Sequence, residues 1–178
     1  MPTVSSWAAP ERRLRLVERA VPPGDPDRKA LACYGLWLRA RDGAPRDQMW
    51  LRFLAGRPVS AVTIQFLAWC VEQAGAQGQT ALLVVWDNAS WHGSQAVRRW
   101  LRAHNRRVKQ SGQGVRIVIC ALPVKSPWLN PIEPKWAHSK RRIVEPARLL
   151  TAQELMERVG AALECPIHEP LPIPEKVA

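Results

Sequence analysis

With 178 residues, 47% of them hydrophobic and 23% charged, the chain has the composition of one globular domain with a sizeable core. No apolar run approaches the length of a membrane-spanning helix and no signal peptide opens the sequence, so the cytoplasm is the expected location. The charge is the unusual quantity: a net +11 and a pI near 10.5, carried by 20 Arg against 6 Lys.

Residues 13–21, RLRLVERAV, begin with apolar and charged residues in alternation and read as a strand open to solvent on one face. The VPPGDPDRK that follows breaks either regular structure and is a loop. ALACYGLWLRA (30–40) reads as a second strand and QMWLRFLAG (48–56) as a third. From Ser60 to Gln73 the pattern turns helical, with Gly75 as the expected stop. TALLVVWD (80–87) is a continuous apolar run, as in a strand buried on both faces. A helix follows from about Ser94, with Val97, Trp100, Leu101, His104 and Val108 on one face and Arg98, Arg99, Arg102, Arg106 and Lys109 largely elsewhere.

VRIVICALP (115–123) is a further buried strand, and KSPWLNPIEPKW (125–136) leads into a helix through about Arg142. The last helix has a capping box, Thr151-x-x-Glu154, before Leu155, Met156, Val159 and Leu163. The proline-rich tail from Pro166 is expected to be extended or disordered. The predicted order is β-β-β-α-β-α-β-α-α, an α/β layered domain over residues 1–165 with a mixed sheet, and a tail over 166–178.

Arginine suits phosphate because its planar fork donates two parallel hydrogen bonds, so a surface this basic implies a polyanionic partner, most often nucleic acid. An arginine- and proline-rich base composition produces the same bias without selection for binding, so charge alone does not decide. The four cysteines, Cys33, Cys70, Cys120 and Cys165, are widely spaced and include no C-x-x-C pair. They read as buried thiols in a reducing compartment rather than as a zinc site or disulfide framework.

Two carboxylates stand out. Asp87 ends the apolar run TALLVVWD, at the carboxyl edge of a sheet where α/β proteins usually build their sites. Glu133 opens the helix after the next strand, between Pro131 and Pro134. Each has a plain structural alternative: Asp87 as a turn residue, and Glu133 as the third position of a capping box begun at Asn130. Two successive strand-then-acid units bring both groups toward one sheet edge, and oxygen donors of this type suit Mg²⁺ or Mn²⁺ with phosphate and water completing the shell.

DNASWH (87–92) and SPWLNPIEPKW (126–136) together resemble the catalytic core of mariner-superfamily insertion-sequence transposases. The resemblance runs from about Trp7 to Arg142. It implies a ribonuclease H-like fold, a mixed sheet flanked by helices, and a DDE metal-binding triad of which Asp87 is the second acid and Glu133 the third. Asn88 and His92 match the segment after the second acid, Asn130 and Pro131 the turn presenting the glutamate, and Trp136 the residue packed behind it. The first acid and its strand, and a helix-turn-helix region before it, are expected to be missing; Asp25 and Asp27 are poor substitutes in their loop.

The resemblance implies metal-dependent cleavage and joining of DNA, transposon ends and target, impaired in this chain alone unless an upstream segment completes the triad, with a homodimer as another possible assembly. A non-catalytic DNA-binding remnant is the alternative. Basic residues flank both acids, Arg98, Arg99 and Arg102 after Asp87 and Lys135, Lys140, Arg141 and Arg142 after Glu133, and are the candidate phosphate contacts. Among the nine tryptophans, Trp37, Trp69, Trp86 and Trp100 fit packing, while Trp91 and Trp128 are better placed to line a DNA channel.

Overall fold

The structure is a computed structural model that describes residues 31–39, 46–55, 58–124, 126–143 and 150–173. The expected strand at 13–21, Asp25 and Asp27 lie outside the described residues. Strands β1 (Leu31–Leu38) and β2 (Gln48–Ala55) pair antiparallel, from Leu31 opposite Ala55 to Leu38 opposite Gln48. Helix α1 (Ser60–Ala76) follows, then β3 (Ala81–Trp86), α2 (Gln95–Ser111) and β4 (Arg116–Ala121). β3 and β4 are parallel, so α2 is the crossover that joins them. A 3₁₀ turn, Pro127–Leu129, precedes α3 (Glu133–Ile143), and α4 (Ala152–Leu163) closes the helical part.

Local signals set the helix ends. Ser94 accepts from the Val97 N–H at 3.3 Å to start α2, and Gly112 ends it in the left-handed region. Thr151 and Glu154 form the reciprocal capping box of α4. α1 runs past Gly75 because the residue that takes the left-handed conformation is Gly78, at φ 73°.

The single mixed sheet expected from the element order is two ladders among the described residues, β1–β2 and β3–β4. One apolar cluster spans both: Tyr34 of β1, Trp50 and Leu54 of β2, Phe66 and Cys70 of α1, Leu82 and Val84 of β3, and Leu101 of α2. The opposite face of β2, through Leu51 and Phe53, is covered by Met156 and Val159 of α4. The β3–β4 ladder has no such second cover. Leu83 and Val118 are 65% and 48% exposed, and Cys120 is exposed beside them. The two-sided burial expected for these strands is therefore one-sided among the described residues, because α3 and α4 pack on the other ladder. The thiol of Cys120 is on the surface, whereas burial raises the pKa of Cys33 and Cys70 far above the ordinary thiol range.

The proline-rich tail docks over part of its length. Leu171 is buried, bridges to Leu54, and donates its N–H to the Phe53 carbonyl at 2.6 Å. Arg52 donates to the Glu169 carbonyl at 2.9 Å and Gln65 to that of Pro172 at 3.2 Å. Leu171→Ala is expected to cost about 2–5 kcal/mol of stability. Ile173→Ala, on a side chain already 40% exposed, should cost far less. Urea unfolding of the two variants checks this.

α3 sits on β1 through a close approach that only glycine permits. A Cβ at Gly35 would lie 2.5 Å from Cζ2 of Trp136 and 3.5 Å from Cδ1 of Ile132. Gly35→Ala is expected to push α3 off the strand and to destabilise the fold by about 1–3 kcal/mol, read as a lower denaturation midpoint and increased Trp136 exposure.

Candidate active site

Asp87 is the first residue after β3, and its loop is tied to the end of β4. Leu122 donates its N–H to the Trp86 carbonyl at 2.9 Å, and the Asn88 carboxamide donates back to the Leu122 carbonyl. Oδ1 of Asp87 accepts the Ala89 N–H at 3.0 Å and a hydrogen bond from Nδ1 of His92 at 2.9 Å. A carboxylate only accepts, so Nδ1 is the donor, and Nε2 has no partner among the described residues. The imidazole is held in place by aromatics. It stacks on Trp86 at 5.1 Å and 7°, meets Trp91 edge-on at 5.9 Å, and lies 6.4 Å from the Tyr34 ring. The other oxygen of Asp87 has no partner among the described residues, and the side chain is 44% exposed. Its carboxylate is thus oriented from one side and open on the other.

Trp86, Asp87, Asn88, His92, Arg98 and Leu101 are among the residues that line a cavity of about 420 Å³ at this edge. Glu133 is not among the lining residues. Among the described residues no group of three His, Cys, Asp or Glu is placed to hold a metal ion.

Glu133 is the first residue of α3 rather than the third. Asn130, Pro131 and Ile132 form a turn in which the Asn130 carbonyl accepts the Glu133 N–H at 3.1 Å and its side-chain oxygen the Ile132 N–H at 3.5 Å. The capping box that is the structural alternative for Glu133 does not form, because Glu133 starts the helix and its side chain has no hydrogen bond to Asn130. The Glu133 carboxylate is exposed and has no hydrogen-bond or ion-pair partner among the described residues. Trp136 packs behind it, against Gly35 and the Leu51–Phe53 face. β1 thus touches both acid-bearing segments through consecutive residues, Tyr34 toward His92 and Gly35 toward Trp136.

The basic residues divide by what they touch. Arg98, Arg102, Lys140 and Arg141 are exposed and unpartnered among the described residues. Arg99 donates to Gln95 at 2.9 Å, Lys135 lies 4.9 Å over the Trp37 ring, and Arg142 donates to the Ala162 carbonyl at 3.4 Å. Trp128 is 74% exposed, whereas Trp91 packs against the core. His104 stacks on Trp100 and bonds the Val115 carbonyl at 2.8 Å, while His138 is exposed. Sequence reading missed Tyr34, which flanks His92 and shares a 2.9 Å hydrogen bond with Thr63, and Asn105. An uncharged amide inside the basic run HNRR was the one signal for the latter.

Comparison with known proteins gives one result. A family model for the DDE superfamily endonucleases matches residues 47–156. No curated protein and no solved structure matches the chain. The matched span starts later than Trp7 and continues past Arg142 into α4, and it contains both Asp87 and Glu133. The four helices and two small sheets are consistent with a ribonuclease H-like domain of this kind. With well over half of its length matched and an acid after the parallel strand β3, the chain belongs to the DDE superfamily endonucleases.

Proposed function

We propose that this chain is the catalytic domain of a mariner-type insertion-sequence transposase, with Asp87 and Glu133 as the second and third acids of its triad. The carrying observation is the state of the two carboxylates. Asp87 is fixed through one oxygen by Ala89 and His92 and open at the other, and Glu133 is exposed with no cap to make. Hard oxygen donors left free in this way suit Mg²⁺ or Mn²⁺. When bound, the ion activates a water or 3′-hydroxyl and stabilises charge on the phosphate. The protein's part is to fix the Asp87 carboxylate through His92, to brace Glu133 between Pro131 and Trp136, and to draw DNA phosphates to the site with Arg98, Arg102, Lys140 and Arg141.

Asp87 and Glu133 are the two triad acids assigned among the described residues, and in this reading the first comes from outside them, in this chain, in a homodimer or on a separate upstream segment. No described helix is long and apolar enough to cross a membrane, and free thiols at all four cysteines fit a cytoplasmic location. A second reading, a DNA-binding protein without catalysis, draws on the exposed, unpartnered Arg98, Arg102, Lys140 and Arg141, which bind phosphate without a metal.

Nicking of supercoiled DNA in Mg²⁺ or Mn²⁺ is expected to be slow for this chain alone. The residual activity should fall by a further two or more decades, roughly, in Glu133→Gln and Asp87→Asn. Fast nicking that survives Glu133→Gln would refute the assignment.

His92→Ala is expected to lower Mn²⁺ affinity about 10–100-fold, because the oxygen it orients keeps only the Ala89 N–H as a donor. His92→Asn, which keeps a donor near the Nδ1 position, should lose less. Mn²⁺ titration by electron paramagnetic resonance reads both, and near-stoichiometric binding by the unsubstituted chain separates a working site from a remnant.

A further inference from the structure

The cavity at Asp87 does not end there. Leu101 and Ile119 also line a second cavity of about 560 Å³, between α2 and β4. The two cavities share that part of their lining, and the second is a trough between α2 and β4. Its walls carry Arg102, Arg106 and Lys109 from α2 and Arg116 from β4, and Arg98 lines the Asp87 cavity. None of these five cations has a hydrogen-bond or ion-pair partner among the described residues, all five are exposed, and α2 contains no acidic residue.

The spacing is regular. Arg98, Arg102, Arg106 and Lys109 recur at four, four and three residues, so they form one stripe about 16 Å long at 1.5 Å per residue. One strand of DNA passes a phosphate about every 3.4 Å of axis, so the stripe spans four to five of them, roughly. The floor offers no competing recognition at its centre. Asn105 accepts the Ile117 N–H at 2.9 Å and donates to the Ile117 carbonyl at 2.7 Å, filling the place of a neighbouring strand at the β4 edge. An extended peptide therefore finds that part of the edge closed, whereas a phosphate backbone needs only the charges. Four of the five cations are arginines, whose forks match phosphate oxygens.

We propose that this α2–β4 trough binds the phosphate backbone of the DNA strand that flanks the position held at Asp87. The proposal rests on the transposase reading for its substrate and adds the path by which that substrate leaves the site.

The test is binding of a short fluorescein-labelled duplex of arbitrary sequence, followed by anisotropy across a salt series in the presence of a chelator. No cleavage runs under these conditions, so the result is independent of whether the chain nicks DNA. Arg102→Ala/Arg106→Ala is expected to weaken binding and to reduce the magnitude of the salt slope by about 1.8, or about 0.9 per lost phosphate contact. Arg46→Ala/Arg107→Ala removes the same charge from outside the trough and should leave the slope unchanged. Lys109→Gln/Arg116→Gln provides a second trough pair should the first fail to fold. Equal losses from the trough and control pairs would overturn the proposal. So would an unchanged slope in the trough variants, or loss of poly-glutamate binding with DNA binding intact, which would make the trough a site for acidic protein. Weak Mn²⁺ binding by the unsubstituted chain, with the slope change present, would overturn the catalytic reading alone.

Discussion

A two-stranded ladder is at best marginally stable in water, and the described part of this chain has two that share no pairing. What joins them is apolar contact with α1. Phe66, Leu67 and Cys70 bury the inner faces of β1–β2 and β3–β4 in one cluster, and hydrophobic burial of that kind needs no register between the strands. Every later feature depends on this helix, because β1 carries Tyr34 and Gly35 while β3 carries Asp87. Without α1 the segment beside His92 and the strand under α3 would have no fixed relation.

From that support follows the arrangement at the carboxyl edge. Parallel pairing places the ends of β3 and β4 side by side, and Asn88 fastens them through the Leu122 carbonyl. The loop then has only the four residues between Asp87 and His92 in which to turn back, and Trp86 provides the flat surface on which the imidazole rests. A charged group is fixed here by an aromatic stack acting through a hydrogen bond, which leaves the second carboxylate oxygen open. On the other side of β1, Trp136 fills the space that Gly35 leaves and fixes the start of α3. The two acids are thus carried by segments that rest on adjacent residues of one strand.

Much of the secondary structure was legible from the chain. The apolar runs at 80–87 and 115–123 became β3 and β4, and the helix start near Ser94 and the capping box of Thr151 and Glu154 formed as expected. The motif residues Asp87 and Glu133 pointed to a DDE endonuclease, and the family match agrees. Less legible were partners distant in sequence. Nothing near Cys120 indicates that its face of β4 is uncovered among the described residues, since α3 and α4 pack on the other ladder. Leu171, in a tail whose prolines suggested disorder, is held by Leu54 and Phe53.

The sequence by itself determined where helices and strands begin and end and which acids carry the motif, because caps, turns and apolar periodicity act over a few residues. Tertiary structure alone decided the split into two ladders, the bond from His92 to Asp87, the freedom of Glu133 from a capping role, and the alignment of Arg102, Arg106 and Lys109 with Arg116 along one trough. These depend on which surfaces meet when α1 and α2 fold across the strands, and burial at one position is set by side chains tens of residues away.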